Sequence, residues 1–475
     1  MPPVPALRRA SLAAVLFLAA AAAQASIAFR VTVDTDRVIK PGASSSLPAT
    51  ASTGSDVVLG PHGIRVREGR RLSVLDFAAR RRYVIDTAAA TYDAYSLFDT
   101  VGFRAAELRQ RQGIAGALQA GGVALQATPP VYEEQALSVA AGRRRGPLLP
   151  NVLDGAVLWS LDKQPLLRLG IAGTPVSDDD ARAFAQFLRY TWGGHPLVLA
   201  MLAGGKQIPA DFTLHYQDVA GSVTRRFRVS QVRTDAPDDF SLAAYRPRPV
   251  AAGAPELERV LAQAARLAPL DAQLHLALRA EAERLFAAQQ PFQAFLLMLE
   301  DNLSTGALVD QLSREQRLAL ETCEPAHQLL RALSAKDQDA IGAGLASVQA
   351  LRAQADGQQP VLQVFEANLR GKLGQWPAAT ALYLQVLQAR PRLTGAYKDL
   401  GDALYAQSDM PNAWRSWDAG RALVPAHRLF AGVNRLEQGL LRDYPAFFDG
   451  GEAAAQPSTS RPASSTKTVG STNLP

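Results

Sequence analysis

The chain carries a single cysteine in 475 residues, Cys323, so no disulfide can close within it and stability must come from packing. Cys323 follows Leu318 and Leu320 in a helical pattern, and a buried, inert thiol is expected rather than a nucleophile. Catalytic signatures are missing too. There is no His-Glu-x-x-His, no Cys-x-x-Cys, no Gly-x-Ser-x-Gly and no Gly-x-x-x-x-Gly-Lys-Ser/Thr. Gly204-Gly205-Lys206 runs into Gln207, which lacks the hydroxyl that would hold magnesium. The six histidines (His62, His195, His215, His275, His327 and His427) fall outside any metal-ligand spacing. No catalytic residue, metal or cofactor is therefore expected. Basic stretches at 65–71, 80–82, 143–145 and 225–228 lack the regular aromatic interleaving of a nucleic-acid platform.

Long apolar runs are absent as well. The run at 12–23 has 12 residues, short of the about 20 that a membrane helix needs. It follows Arg8-Arg9 and ends in Ala23-Gln24-Ala25, the pattern of a secretory signal peptide over 1–25 cut after Ala25. No cysteine lies near that cut, which excludes a lipoprotein anchor. A periplasmic or secreted product that does not span the membrane is expected.

Of the residues present, 48% are hydrophobic and 20% charged, enough apolar material for most of the chain to fold. Its length implies two or three domains. The net charge of +6 is uneven: residues 26–253 hold 27 Lys and Arg against 21 Asp and Glu, and residues 254–475 hold 21 against 23. The positive half suits an anionic partner such as a lipid headgroup or lipoprotein, although an arginine-rich surface also reads as ordinary solvated charge.

Residues 26–245 read as an α+β domain built on a curved antiparallel sheet of about eight to ten strands with inserted helices. Alternation predicts strands at 27–33, 64–68, 72–77 and 82–86, with a Gly/Ser/Pro-rich loop at 41–55. A helix follows at 98–120, then strands at 132–140, 156–161 and 166–171. Ser177 should cap a helix whose first turn holds Asp178, Asp179 and Asp180; the helix dipole explains those carboxylates without a metal. That helix stops at Gly193-Gly194, and His195-Pro196 starts another. Around this turn Arg189, Tyr190, Trp192 and His195 are candidates for the mouth of a pocket, against the plainer reading of a helix-to-helix turn with packed aromatics. The last hairpin, 211–218 against 222–234, should bury Phe212, Leu214 and Tyr216 with Val223, Phe227 and Val229, and leave Thr224, Arg226, Arg228 and Ser230 wet. This half resembles the exported lipoprotein-carrier superfamily, a half-open barrel closed by helices. The likeness rests on Leu72-Ser-Val-Leu-Asp-Phe with Arg82-Tyr-Val-Ile-Asp, on Thr91-Tyr92, and on Asp239-Phe240-Ser-Leu with Tyr245. It implies an apolar cavity for acyl chains.

Residues 246–255 form a Pro-punctuated linker, and 256–448 are helical throughout. Pro391 and Pro425, Ala379 and Ala413, and Tyr383 and Trp417 each lie 34 apart. Between 394 and 427 come Tyr397, Leu400-Gly401, Ala413, Trp417, Gly420 and Pro425 in order, small residues that let two helices approach and aromatics that fill the space beside them. This stretch resembles the tetratricopeptide repeat family, with a degraded copy from 360 and an earlier unit near 270–300. An irregular hairpin, 314–333 against 337–355, should lie between. The resemblance implies an all-α repeat domain with a concave groove that holds a segment of another protein, lined by Tyr397, Asp399, Asp402 and Trp414. Residues 449–475, rich in Ala, Ser, Thr and Pro, should remain a disordered tail.

The leading expectation is an exported, non-enzymatic binding or adaptor protein using that groove. Its rivals are a lipid or lipoprotein carrier using the half-barrel, and an exported hydrolase using Asp178–Asp180 or His195.

Overall fold

A computed structural model describes residues 26–448 except 61–62, 123–127, 141, 143–145, 237–239, 310–311 and 356–358. The expected leader, the expected tail, His62, Arg143–Arg145 and Asp239 lie outside the described residues.

The first half is organised by one sheet. Strands β1 (Ser26–Ile39), β2 (Thr50–Gly60), β3 (Gly63–Glu68), β4 (Arg71–Asp76), β5 (Arg81–Asp86) and β6 (Thr91–Ser96) form an antiparallel meander. Helices α1 (Leu97–Ala120) and α2 (Pro130–Leu137) lead to β7 (Leu149–Leu153), β8 (Ala156–Leu161), β9 (Gln164–Gly170) and the short β10 (Gly173–Pro175). Then follow α3 (Asp178–Thr191), α4 (Pro196–Gly204), β11 (Gln207–Pro209), β12 (Asp211–Gln217), β13 (Gly221–Ala236) and β14 (Arg246–Pro247). Because β13 returns to pair with β1, the strands join in the order β14-β6-β5-β4-β3-β2-β1-β13-β12-β9-β8-β7, twelve in all, with β10 and β11 as a separate pair. The hairpin pattern holds: Phe212, Leu214, Tyr216, Val223, Phe227 and Val229 are buried, while Arg226 and Arg228 point outward and pair with Asp36 and Asp34 of β1.

Three local expectations give way to tertiary context. Residues 132–140 are not a strand, because Pro130 opens a helix that needs no amide hydrogen there and Ser138, at φ +56°, ends it. Residues 50–55 belong to β2 rather than to a loop, paired with residues 31–36 of β1. The linker begins later than 246: Arg246 and Pro247 form the edge strand β14 beside β6, where a proline costs no ladder bond, and Arg248 N donates to Tyr92 O at 2.8 Å.

The second half is all helix: α5 (Glu256–Ala264), α6 (Ala272–Ala287), α7 (Pro291–Thr305), α8 (Arg314–Glu321), α9 (Glu324–Ser334), α10 (Gln338–Gln354), α11 (Pro360–Lys372), α12 (Trp376–Ala389), α13 (Thr394–Ala406), α14 (Met410–Leu423) and α15 (Ala431–Asp443). Neighbours pack as α6 on α7, α11 on α12 and α13 on α14, and α12 also packs on α13. Pro291, Pro377 and Pro411 sit in the first turn of α7, α12 and α14. A Cβ on Gly401 would fall 2.3 Å from Trp417 Nε1, so only glycine lets α13 and α14 close to this distance. Cys323 is half-buried in the turn that starts α9, not inside a helix.

The halves are packed together. Trp414 of α14 lies against Gly102 of α1, where an added Cβ would meet Trp414 Cη2 at 2.7 Å. Tyr190 Oη donates to Phe447 O at 2.7 Å, the tilted rings of Phe98 and Phe448 lie 4.9 Å apart, and Arg81 pairs with Asp418.

Candidate functional site

The helical candidates fall inside the molecule. No residue of 360–371 or of 394–404 is exposed, so most of α11 and α13 is covered. Helix α7 lies across them: a Cβ on Gly395 would meet Leu303 Cδ2 at 2.9 Å, and His427 Nε2 is 3.2 Å from Leu303 O. The chain therefore fills the trough that the repeat pattern implied. Tyr397 is core, its hydroxyl donating to Pro391 O at 3.1 Å. Trp414 is buried on the opposite side, at the junction with α1, donating from Nε1 to Glu437 Oε1 at 3.0 Å. Asp399 and Asp402 keep side-chain exposures of 16% and 25% and share Lys398, at 3.8 and 2.7 Å. Burial pushes the Asp399 carboxyl up to about 6, against the pull of Lys398. Trp417 Nε1 donates to Asp402 Oδ1 at 3.2 Å. These groups form a structural network and do not line an open groove.

The N-terminal candidates stand at the turn between α3 and α4. Ser177 Oγ accepts from Asp180 N at 3.2 Å, Asp179 pairs with Arg182, and Asp178 lies 3.1 Å from Lys206, so the acidic triplet is spent on capping and ion pairs. Among the described residues no group of three or more His, Cys, Asp and Glu is placed to hold a metal. The turn needs its glycines: Gly193 has φ +88°, and a Cβ there would meet Gln135 O at 2.8 Å. His195 is 2% exposed. Its Nδ1 accepts from Leu197 N at 3.2 Å, which leaves Nε2 to donate to the buried Glu134 at 2.9 Å. That bond ties the start of α4 to α2. Trp192 is packed under the Arg225 guanidinium at 5.3 Å and against Phe227 at 5.7 Å. Tyr190 is buried beside Phe77 and Phe447. His195, Trp192 and Tyr190 are thus the backing of the site.

Arg189 is the member of that set that reaches a cavity. It lines a cleft of about 520 Å³ between α3 and α4, walled by Leu197, Leu199, Ala200 and Ala203, rimmed by Arg182 and Lys206, and bounded by Ala446 from the far end of the chain. That volume lies in the range of small-molecule sites, roughly 300–1,000 Å³. Arg189 is 8% exposed, donates from Nε to Gln186 Oε1 at 2.8 Å, and rests 5.1 Å from the Phe447 ring. Behind it Arg104 is also buried and donates only to carbonyls, those of Leu137, Arg189 and Tyr190 at 3.4, 2.6 and 3.4 Å. Neither guanidinium has an ion-pair partner among the described residues. Burial brings the pKa of each down to about 10. Arg182 shares a helix face with Arg189 seven residues on, a spacing legible in the sequence. The parts supplied by Arg104 and Ala446 come from distant segments and leave no local signal.

Phe29, Phe184, Phe187, Phe212 and Phe227 fill the face beneath α3, with ring centroids 4.4 to 6.1 Å apart. Some basic side chains elsewhere are paired locally, Arg82 with Asp99 at 3.8 Å and Arg30 with Asp56 at 3.0 Å. No described helix is long and apolar enough to cross a membrane. Comparison with protein-family models gives no match, and neither does comparison with curated proteins.

Proposed function

We propose that the protein is an exported, non-enzymatic binding protein whose ligand seat is the α3–α4 cleft and whose helical half is the scaffold that backs and closes it. One observation carries this reading: Arg189 is buried at an apolar cleft with no carboxylate to pair with among the described residues. A desolvated, unpaired cation costs stability, and an anion entering the cleft would offset that cost. Binding is favoured over catalysis because the histidine of this region, His195, is sealed by Glu134 and by the α4 backbone. A peptide held along α11 and α13 is not supported, since α7 occupies that face.

Filling the cleft tests the reading. Ala200→Trp should abolish uptake of the fluorescent probe anilinonaphthalene sulfonate while leaving the melting transition in place; equal uptake by variant and wild type would remove the cleft as the seat. Export is tested by cell fractionation, with recovery of a mature chain lacking residues 1–25 outside the cytoplasm as the expected result.

A further inference from the structure

The charge inventory of the cleft narrows its ligand. Lys206 and Arg182 at the rim are already paired with Asp178 and Asp179, so neither offers a free positive charge. Arg189 differs. Its Nε is used on Gln186, no described group accepts from its Nη nitrogens, and the side chain lines the cleft. The Phe447 ring fixes the plane of the guanidinium, and Arg104 behind it adds a second uncompensated positive charge. Two parallel N–H donors on a planar fork match a carboxylate. The walls that extend from it, Leu197, Leu199, Ala200 and Ala203, can offer a ligand only apolar contact. With Asp178 and Asp179 already balancing Lys206 and Arg182, the Arg189 fork is left as the seat for one anionic head.

We infer that the cleft takes a monoanionic amphiphile, a single carboxylate seated on Arg189 with a medium-length apolar chain lying along α4. This rests on the cleft being the ligand seat, and the test separates the two claims. Decanoate, 1-decanol and acetate are titrated against the full-length protein by calorimetry, alongside Arg189→Met, Arg189→Lys and Ala200→Trp, each first shown by thermal melting to be folded. Decanoate should bind the wild type at least about tenfold more tightly than either decanol or acetate, since both the charged head and the chain contribute. Arg189→Met should lose that preference over decanol, and Arg189→Lys should keep part of it, because a point charge replaces the fork. Decanoate and decanol binding equally, with Ala200→Trp blocking both, would overturn the carboxylate assignment and leave the seat standing. Decanoate binding that survives Ala200→Trp, or no binding of any probe to the wild type, would overturn the seat and the assignment with it.

Discussion

Two sites of buried charge, one in each half of the molecule, are built in opposite ways. In the helical half Glu366 of α11 is 4% exposed and receives Arg352, Arg370 at 2.8 Å and Gln349 at 3.1 Å. Burial alone would raise its pKa, but those hydrogen bonds outweigh it and hold the carboxyl below its ordinary value. Arg421 is likewise held by Asp418 at 2.6 Å and Glu437 at 2.7 Å. Beneath α3, by contrast, Arg104 and Arg189 are buried against carbonyls, an amide and an aromatic ring. A saturated buried pair fixes structure; an unsaturated buried cation stores an interaction that something else must complete. On the function proposed above, the contrast puts the rigid scaffold in the helices and the ligand seat in the sheet half.

Removing one partner from each kind of site should therefore act with opposite sign. Glu366→Ala strands two arginines and should cost about 3 kcal/mol of unfolding free energy, read by urea denaturation. If the cost is near zero, the helical network is not saturated and the contrast fails. Asp399 probes an intermediate case. Its folded pKa of about 6 lies above the ordinary 3.8, so the associated stability is fully present below about pH 4 and is lost as pH rises through 6. Asp399→Asn should remove that slope, making the variant more stable than wild type by roughly 3 kcal/mol at pH 7 and equal to it below pH 4, as followed by denaturation at a series of pH values. Arg189→Met carries the smallest effect and the sharpest sign: without ligand it should be about 1 kcal/mol more stable than wild type, because a desolvated charge has been replaced by an apolar side chain. A clear loss of stability would show that Arg189 is part of the core's own bonding.

Much of this architecture could be read from local patterns. The 34-residue spacing and Gly401 pointed to closely packed hairpins, and Gly401 meets Trp417 as that spacing required. Alternation in 211–217 and 221–236 gave the correct inward faces, and Ser177 and His195-Pro196 marked the starts of α3 and α4. Local pattern failed where a distant segment decides. Residues 132–137 fit either element by local pattern, and the proline before them and packing beneath the sheet make them helical. The concave face of α13 looked open because nothing in its own sequence records that α7 covers it. Of the eight candidate site residues, Arg189 alone lines the cleft, while Tyr397 and Trp414 are core for the same reason that they are large and aromatic.

Sequence alone determined the periodic elements, their caps and turns, and the division into a sheet half followed by a helical half, because each depends on side chains within a few residues of one another. Only the tertiary structure decided which surfaces stay open and which charges go unpaired. Those outcomes depend on contacts such as Arg189 with Phe447 and Gly395 with Leu303, whose partners lie far away along the chain.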